Sequence, residues 1–238
     1  MELKENKPLY QQIATKIQSD IYMGKYKPEQ QLPTETELCE RFSVSKSTIR
    51  KAIQILVDKS LLKKIRGKGT FVLYRKENMT LGKNSLGFND FLAPKGHKTD
   101  VQILKTSIIN EDNQINRKLH LSSGTNITLI SRLIVEDDSP VAIDNIYVET
   151  ERFPKIIENL SNKKSLYEVL KNEYQININK SNLKINGIVA NAHMANILQC
   201  TMGDPLFVLD KISLVDDDII HYSKSFVRCD RVEYSFSI

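Results

Sequence analysis

One segment of the chain, Ser45 to Leu56, limits the possible folds more than any other. Apolar residues recur in it at three- and four-residue spacing, which places them on one face of a helix. They are Ile49, Ala52, Ile53 and Leu56. Polar and basic residues share the opposite face at the same spacing: Ser47, Arg50, Lys51 and Gln54. The segment therefore predicts a helix that buries one face in a core and offers a basic face to a partner.

A second helix is predicted directly before this one. Thr34 followed by Glu37 forms a capping-box pattern, in which the two side chains satisfy free backbone N–H groups at a helix start. A short break at Ser43-Val44 follows, and Ser45 is the candidate N-cap of the next helix. Two helices joined by a short turn, the second one basic on its outer side, are typical of a helix-turn-helix. An earlier helix is predicted from Leu9 to Ile21.

Two β-prone runs follow the helix-turn-helix, Leu62 to Ile65 and Thr70 to Leu73. Between them lies Gly67-Lys68-Gly69, where glycines allow a tight hairpin turn. The hairpin is a candidate wing, so the first part of the chain is predicted to be a winged helix-turn-helix.

Charge is distributed unevenly along the chain. Residues 1–76 contain 16 lysines and arginines against 8 acidic residues, a net of +8, whereas residues 77–238 carry a net of −3. The excess is concentrated between Asp58 and Glu77, which enclose seven basic residues and no acid. Only the N-terminal part is therefore expected to meet a polyanion. On charge alone, a solvated basic face is the alternative explanation.

The predicted third helix has the residues needed to hold DNA. Hydroxyl side chains and free N–H groups at its N-terminus suit phosphate oxygens; the residues there are Ser45, Lys46, Ser47 and Thr48. Arg50 can offer two parallel donors to a guanine edge in the major groove, with Lys51 and Gln54 as further candidates. Gly67 and Lys68 at the hairpin tip are predicted to reach the adjacent minor groove.

The remainder of the chain alternates between β-hairpins and helices, which favours an α+β domain built on an antiparallel sheet. Residues 76–85 are polar and are predicted to be a linker. The predicted domains are thus a DNA-binding domain at 1–75 and a second domain at 86–238. The hairpins are centred on Asp137–Pro140 and on Asp216–Asp218, and a separate strand is predicted from Ile185 to Val189.

Several classes of protein are not supported by the sequence. No apolar stretch approaches the roughly 18 residues of a membrane span, and the polar start does not resemble a signal peptide, so a cytoplasmic protein without membrane partners is expected. The three cysteines and four histidines lack metal-ligand spacing, and no catalytic motif is visible. We therefore predict no metal site, no cofactor and no enzyme activity.

The run from Leu32 to Val72, LPTETELCERFSVSKSTIRKAIQILVDKSLLKKIRGKGTFV, resembles the GntR family of bacterial transcription regulators. The resemblance implies DNA contacts at or beside a set of matching positions: Thr34, Ser45, Lys46, Thr48, Arg50, Gly67 and Lys68. The chain departs from the family where Thr36 replaces a DNA-reading arginine and where Lys46 replaces another arginine. Because lysine lacks the planar fork of arginine, a different operator sequence is expected.

The C-terminal part resembles the UTRA effector domain of the HutC-like subfamily, which is similar in fold to chorismate lyase. Its motifs include ISRLIVEDDSPVAIDNIYV from Ile130 and GDPLFVLDK from Gly203. The resemblance implies a homodimeric, sequence-specific regulator, most commonly a repressor, that binds double-stranded DNA and responds to a sugar, a sugar phosphate or an organic acid. Two alternatives stay open: a lyase-like enzyme of the chorismate lyase fold fused to a DNA-binding domain, and an architectural DNA-binding protein without an effector.

Within that resemblance we predict that Arg132 anchors an anion. Further polar contacts are expected from Asp144, Ser165, Tyr167, His221 and Tyr222. Ile134 replaces a second arginine of the family on the same strand face, so a doubly charged phosphate should be held less well. Two alternatives stay open, since Arg132 could pair with an acid within its hairpin and Tyr167 could belong to the core.

Overall fold

The computed structural model describes residues 8–74, 77–80, 99–110, 112–160 and 165–235. The chain divides into two compact units, Met1–Lys76 and Glu77–Ile238. The elements of the first unit are α1 (Leu9–Tyr22), α2 (Glu35–Phe42), α3 (Lys46–Asp58), β1 (Leu62–Ile65) and β2 (Gly69–Val72).

The first unit is a winged helix-turn-helix, as predicted. All four apolar residues that define the inner face of α3 are at most 1% exposed, and they join one core with Ile13, Ile17 and Ile21 of α1 and Leu38 of α2. Strands β1 and β2 form an antiparallel hairpin that pairs Leu62 with Val72. The core thus holds α3 by its apolar face and leaves its basic face outside.

Both predicted helix caps are present. The Thr34 hydroxyl accepts from the backbone N–H of Glu37 at 3.3 Å, while the Glu37 carboxylate accepts from the Thr34 backbone N–H at 2.7 Å. At the start of α3, the Ser45 hydroxyl accepts from the Thr48 backbone N–H at 3.3 Å. Between the two helices, Ser43 has a positive φ of 52°, which turns the chain sharply.

The second unit contains more strands than helices. Its elements are β3 (Glu77–Thr80), β4 (Thr99–Ile109), α4 (Asn113–Leu119), β5 (Ile127–Glu136), β6 (Ser139–Glu149), α5 (Ile156–Leu160), α6 (Leu166–Tyr174), β7 (Lys180–Val189), α7 (Ala192–Leu198), β8 (Pro205–Val215), β9 (Asp218–Arg228) and β10 (Val232–Ser235). Six strands form one sheet in the order β4-β5-β6-β9-β8-β7, and every pair in it is antiparallel. The predicted α+β class is therefore confirmed.

Helices cover both faces of this sheet. On one face, α5 and α6 pack on Ile130, Ile146 and Val148. On the other face, α4 packs on Ile127 and Tyr222, and α7 packs on Leu133 and Ile143. Side chains on each central strand therefore alternate between two separate apolar clusters.

Three features differ from the sequence-based expectation. Strand β7 begins at Lys180 although only Ile185 to Val189 was predicted, and helix α5 was not predicted at all. Residues 77–80, which were placed in the linker, form β3 and pair in parallel with β10. The rest of that linker, residue 76 and residues 81–85, lies outside the described residues, so the domain boundaries stay a prediction.

Candidate DNA-binding surface and effector site

The N-terminus of α3 presents a group of exposed hydroxyls. Ser45 Oγ lies 2.9 Å from Ser47 Oγ and 2.9 Å from Thr48 Oγ1, so the three side chains hydrogen-bond to one another. Lys46 is exposed beside them. Backbone N–H groups and hydroxyls at a helix start favour phosphate oxygens, and the lysine adds a positive charge. This end of α3 can therefore bind the DNA backbone.

Arg50 lies one turn further along α3, and 63% of its side chain is exposed. Its Nε donates to Glu35 Oε2 of α2 at 2.8 Å. The contact orients the guanidinium from one edge and leaves the Nη groups available as donors. An oriented arginine suits bidentate contact with the O6 and N7 atoms of guanine.

Two further candidates on the outer face of α3 are engaged in surface contacts. Lys51 Nζ lies 5.8 Å from the centre of the Tyr10 ring. Gln54 donates to Asp58 Oδ1 at 2.7 Å and accepts from Lys64 Nζ at 3.4 Å. Both side chains are exposed, so these contacts can exchange with DNA contacts at small cost.

The tip of the β1–β2 hairpin is held by a residue that the sequence did not single out. Gly67 has a φ of +73°, and Lys68 beside it is exposed. Gln31 Nε2 donates to the Lys68 carbonyl oxygen at 2.9 Å. A Cβ at Gly69 would lie 2.4 Å from Gln31 Nε2, so the glycine is needed for this close approach. Gln31 therefore positions the predicted wing.

In the second unit, Arg132 and Asp144 form an ion pair across β5 and β6. The Arg132 Nη2 and Asp144 Oδ2 atoms are 2.6 Å apart, and the side chains are only 5% and 6% exposed. The other carboxylate oxygen of Asp144 accepts from Ser225 Oγ of β9 at 2.8 Å. The alternative that Arg132 pairs with an acid of its own hairpin thus describes the geometry. Two other nitrogens of the Arg132 guanidinium, Nε and Nη1, are buried without an acceptor among the described residues.

His221 lies on β9 in the same face of the sheet and is fully buried. Burial, together with the positive charge of Lys211, lowers the pKa of His221 to about 3. The ring is therefore neutral at physiological pH, and neither of its nitrogens has a hydrogen-bond partner among the described residues. Tyr167 of α6 meets it edge-on with ring centres 5.8 Å apart, and Tyr167 Oη lies 3.1 Å from Ser213 Oγ of β8.

The structure does not bring all six predicted effector residues together. Arg132, Asp144, His221 and Tyr167 share one face, whereas Tyr222 points to the opposite face, where it stacks on Tyr147 and donates to Asp210. Burial and the hydrogen bond to Asp210 raise the pKa of Tyr222. Ser165 is the N-cap of α6 and accepts from the Tyr167 backbone N–H at 3.2 Å. Its hydroxyl has a structural role already.

Sequence reasoning missed Glu35, Gln31, Ser213 and Ser225. Each touches a predicted site residue from a different element, so no spacing along the chain could reveal it. Alternation along β8 and β9 was the available signal for the two serines, because it places them on the same strand face as His221, and buried polar side chains need partners.

Within the part of the chain that the structure describes, no three histidine, cysteine or acidic side chains cluster in a way that could hold a metal ion. In the same residues, no helix has the length and apolar content that a bilayer crossing requires.

Comparison with known families matches both units. A model of the UTRA domain matches residues 95–233, and a model described as bacterial regulatory proteins of the gntR family matches residues 9–72. The first match covers the six-stranded sheet, and the second covers the helix-turn-helix and its hairpin.

Individual proteins are similar over almost the whole chain. YurK, an uncharacterised HTH-type transcriptional regulator of Bacillus subtilis, is 31% identical over 92% of this chain and 90% of its own. A "Probable fructoselysine utilization operon transcriptional repressor" of Shigella flexneri is 31% identical over 94% and 92%. Among solved structures, PhnF from Mycobacterium smegmatis superposes with a TM-score of 0.66 at 21% identity over 95% and 98%, which is a likeness of fold.

Proposed function

Because the chain belongs to the GntR family of bacterial regulatory proteins and carries a UTRA domain, we propose that it is a homodimeric repressor of a sugar-related operon. It is a DNA-binding transcription regulator with a C-terminal effector domain. Repression, the dimer, the class of effector and a cytoplasmic location are the proposed parts. A small effector bound in the second unit would change the affinity of the protein for its operator.

The observation that carries the DNA-binding mode is the exposed polar face of α3. Its inner face is locked in the core, so the outer residues keep a fixed direction. Arg50 lies in the middle of that face, and the hydroxyl side chains of Ser45, Ser47 and Thr48 lie at the N-terminus of α3. Lys68 is exposed at the tip of the hairpin. We infer that α3 enters the major groove while the wing contacts the backbone or the minor groove beside it.

The effector class follows from the relatives and from the buried polar residues of the second unit. Relatives include the fructoselysine operon repressor and a repressor of mannosyl-D-glycerate transport and metabolism from Escherichia coli, which is 27% identical. Both names concern sugar-derived compounds. We therefore place the effector among sugars, sugar phosphates and organic acids, bound near Arg132, Asp144, Tyr167 and His221.

A homodimer is proposed because helix-turn-helix proteins commonly read two half-sites related by two-fold symmetry. Sedimentation equilibrium of the full chain should give twice the mass of one chain, 27.3 kDa. A monomer at micromolar concentration would contradict this part of the proposal.

The DNA-binding mode is tested by fluorescence anisotropy with fragments selected from the genome for binding. Affinity should fall as salt rises, because lysine and arginine side chains release counterions from phosphates. Lys68→Ala should lower the slope of log affinity against log salt by about 1, the value expected for one lost phosphate contact. The matched control is Lys27→Ala, an exposed lysine outside α3 and the hairpin. Equal slopes for both variants would count against a wing contact.

The lyase-like alternative is not favoured by any particular contact. In the described residues around His221, the ring has no hydrogen bond to a carboxylate or hydroxyl that could orient it as a base. We propose that this cluster binds its ligand without converting it. Incubation of the protein with sugar acids and aromatic acids should leave them unchanged by mass spectrometry.

A further inference from the structure

Five buried polar residues of the second unit lie on one face of the sheet, and we call them the polar strip. The registers place Arg132 beside Asp144, Asp144 beside Ser225, and His221 beside Ser213. All five are at most 7% exposed. Apolar clusters border the strip, with Ile130 and Ile146 toward α6 and with Ile134 and Val227 toward β10. Polar groups in such surroundings are costly unless each finds a partner.

Two members of the strip have buried nitrogens without a hydrogen-bond partner among the described residues. Arg132 leaves the donors Nε and Nη1 unused, and His221 leaves both ring nitrogens unused, within the residues that the structure describes. Arg228, which is equally buried at 4%, shows the usual situation. Its Nε and Nη2 donate to Asp230, and its Nη1 donates to the carbonyls of Pro140 and Leu198. Unused donors on Arg132 and His221 thus mark the place where a ligand completes the hydrogen bonds.

The charge of Arg132 is balanced before any ligand arrives. The Arg132 cation lies against the Asp144 anion at 2.6 Å. Ile134, two residues along the same strand face, is fully buried in an apolar cluster and supplies no second cation. Lys211 adds a cation at the half-buried edge of the strip, where its Nζ lies 5.0 Å from the centre of the Tyr167 ring.

The unpaired nitrogens of Arg132 and His221 need different kinds of hydrogen-bond partner. The two Arg132 nitrogens need acceptors, whereas a neutral imidazole needs one acceptor and one donor. Burial keeps the pKa of His221 far below neutrality, so the ring keeps that mixed demand at physiological pH. A hydroxyl group can donate and accept at once. A phosphate dianion can only accept, and beside Asp144 it would add a second negative charge to a buried region.

We propose that the effector of this chain is an uncharged polyhydroxylated compound, a sugar or polyol without phosphate, whose hydroxyls bind Arg132 and His221 together. The inference rests on the proposed function, because it names the ligand class of the same effector domain. Asp144 makes the site prefer an uncharged ligand over a phosphorylated one, because it neutralises the Arg132 cation that would otherwise attract a phosphate.

The test compares matched pairs of compounds by thermal unfolding of the full chain. Glucose, fructose, mannose and sorbitol are each assayed beside their 6-phosphates, with inorganic phosphate as a further probe, all at equal ionic strength. An unphosphorylated member is expected to raise the Tm, and its 6-phosphate is expected to bind at least about tenfold more weakly. A larger rise with a 6-phosphate than with its parent, or a rise with inorganic phosphate, would overturn the proposal.

A variant tests the cause of the preference. Asp144→Asn removes the negative charge, keeps one oxygen as the acceptor for Arg132 and turns its amide N–H toward Ser225 Oγ, which can accept, so inorganic phosphate should now raise the Tm. The control is Asp210→Asn on the opposite face of the sheet, where Asp210 accepts from Tyr222 and no response to phosphate is expected. If inorganic phosphate raises the Tm of neither variant, the proposed role of Asp144 is contradicted. If Asp144→Asn does not fold, the wild-type comparison still decides.

DNA binding measured on the same preparation separates this inference from the proposed function. Absence of specific binding to any genomic fragment would defeat the proposed function whatever the sugar panel shows. A preference for phosphorylated compounds would defeat the inference and leave the DNA-binding regulator in place.

Discussion

In the winged helix unit the residues proposed for DNA binding are exposed to solvent, whereas in the second unit the residues proposed for the effector are buried on one face of the sheet. Arg50 and Glu35 pair at 2.8 Å with side chains 63% and 33% exposed. Arg132 and Asp144 pair at 2.6 Å with side chains 5% and 6% exposed. The two ion pairs have similar N···O distances, so the effect of burial on an arginine–carboxylate pair can be compared within one chain.

The difference in exposure between the two ion pairs affects how each unit recognises its ligand. An exposed pair loses little hydration when it forms or breaks, so Arg50 can leave Glu35 for a base at small cost. A buried pair has lost its hydration already, so each partner depends on the other. DNA recognition is therefore expected to be adjustable and sensitive to salt, and effector recognition to be selective for hydrogen-bonding pattern.

The largest effect is expected from Asp144→Ala, which leaves the Arg132 cation buried without its partner. We expect the free energy of unfolding of the second unit to fall by about 3–5 kcal/mol. Urea denaturation followed by circular dichroism measures it, and the transition of the winged helix unit should not move. Replacing both partners by apolar residues, Arg132→Met with Asp144→Leu, should restore much of the loss. A loss below about 1 kcal/mol for the single variant would mean that the buried pair behaves like an exposed one.

The next effect concerns Arg50→Ala on the outer face of α3. Loss of a bidentate guanine contact should cost about 1–3 kcal/mol of discrimination between the selected operator and unrelated DNA. Competition binding by anisotropy measures the ratio of the two affinities. The fold should be unaffected, because the side chain is mostly exposed. Equal weakening on both DNAs would show that Arg50 contacts phosphates and reads no base.

A smaller effect is expected from His221, which should make the free energy of unfolding of the second unit depend on pH. Its pKa is about 3 in the folded protein and near 6.5 in the unfolded chain, so below pH 6.5 the unfolded state binds a proton that the folded state does not. Stability of the second unit is therefore complete above pH 6.5 and falls by about 1.4 kcal/mol per pH unit toward pH 5.

Urea denaturation at several pH values checks this slope, and His221→Gln should remove it. The winged helix unit contains no histidine, since all four lie after residue 76, and its own transition is the internal control. A second unit whose stability stays constant from pH 6.5 to 5 would show that His221 can become protonated in the folded state.

The smallest effect is expected from Glu35→Ala, the counterpart of Asp144→Ala in the exposed pair. The free energy of unfolding of the winged helix unit should fall by less than about 1 kcal/mol, because solvent replaces the carboxylate. The same urea experiment measures it. A loss as large as that of Asp144→Ala would remove the distinction between the two pairs.

The sequence predicted the winged helix unit closely because its signals are local. Helix spacing, the Thr34–Glu37 capping box and the Gly67 turn each act over a few residues, and all three are present in the structure. Such local signals could not predict contacts between different helices and strands. Glu35 and Gln31 act on residues that lie 15 and 37 positions away along the chain.

In the second unit the central hairpins were predictable from their turns and apolar strands. The start of β7 was not, because its side chains are largely exposed at the sheet edge and show no alternation of apolar and polar residues. Among the predicted effector residues, Tyr222 was predicted as a polar contact together with His221, its neighbour in sequence. Neighbouring residues of a strand point to opposite faces, and this separates the two in space.

The pairing of β3 with β10 joins the first stretch of the second unit to its last, with Glu77 opposite Val232 and Thr80 opposite Ser235. A stop codon placed before residue 232 would remove the main-chain partner of the residues that directly follow the winged helix unit. Shortening the carboxyl end would thereby disturb the chain more than 150 residues upstream.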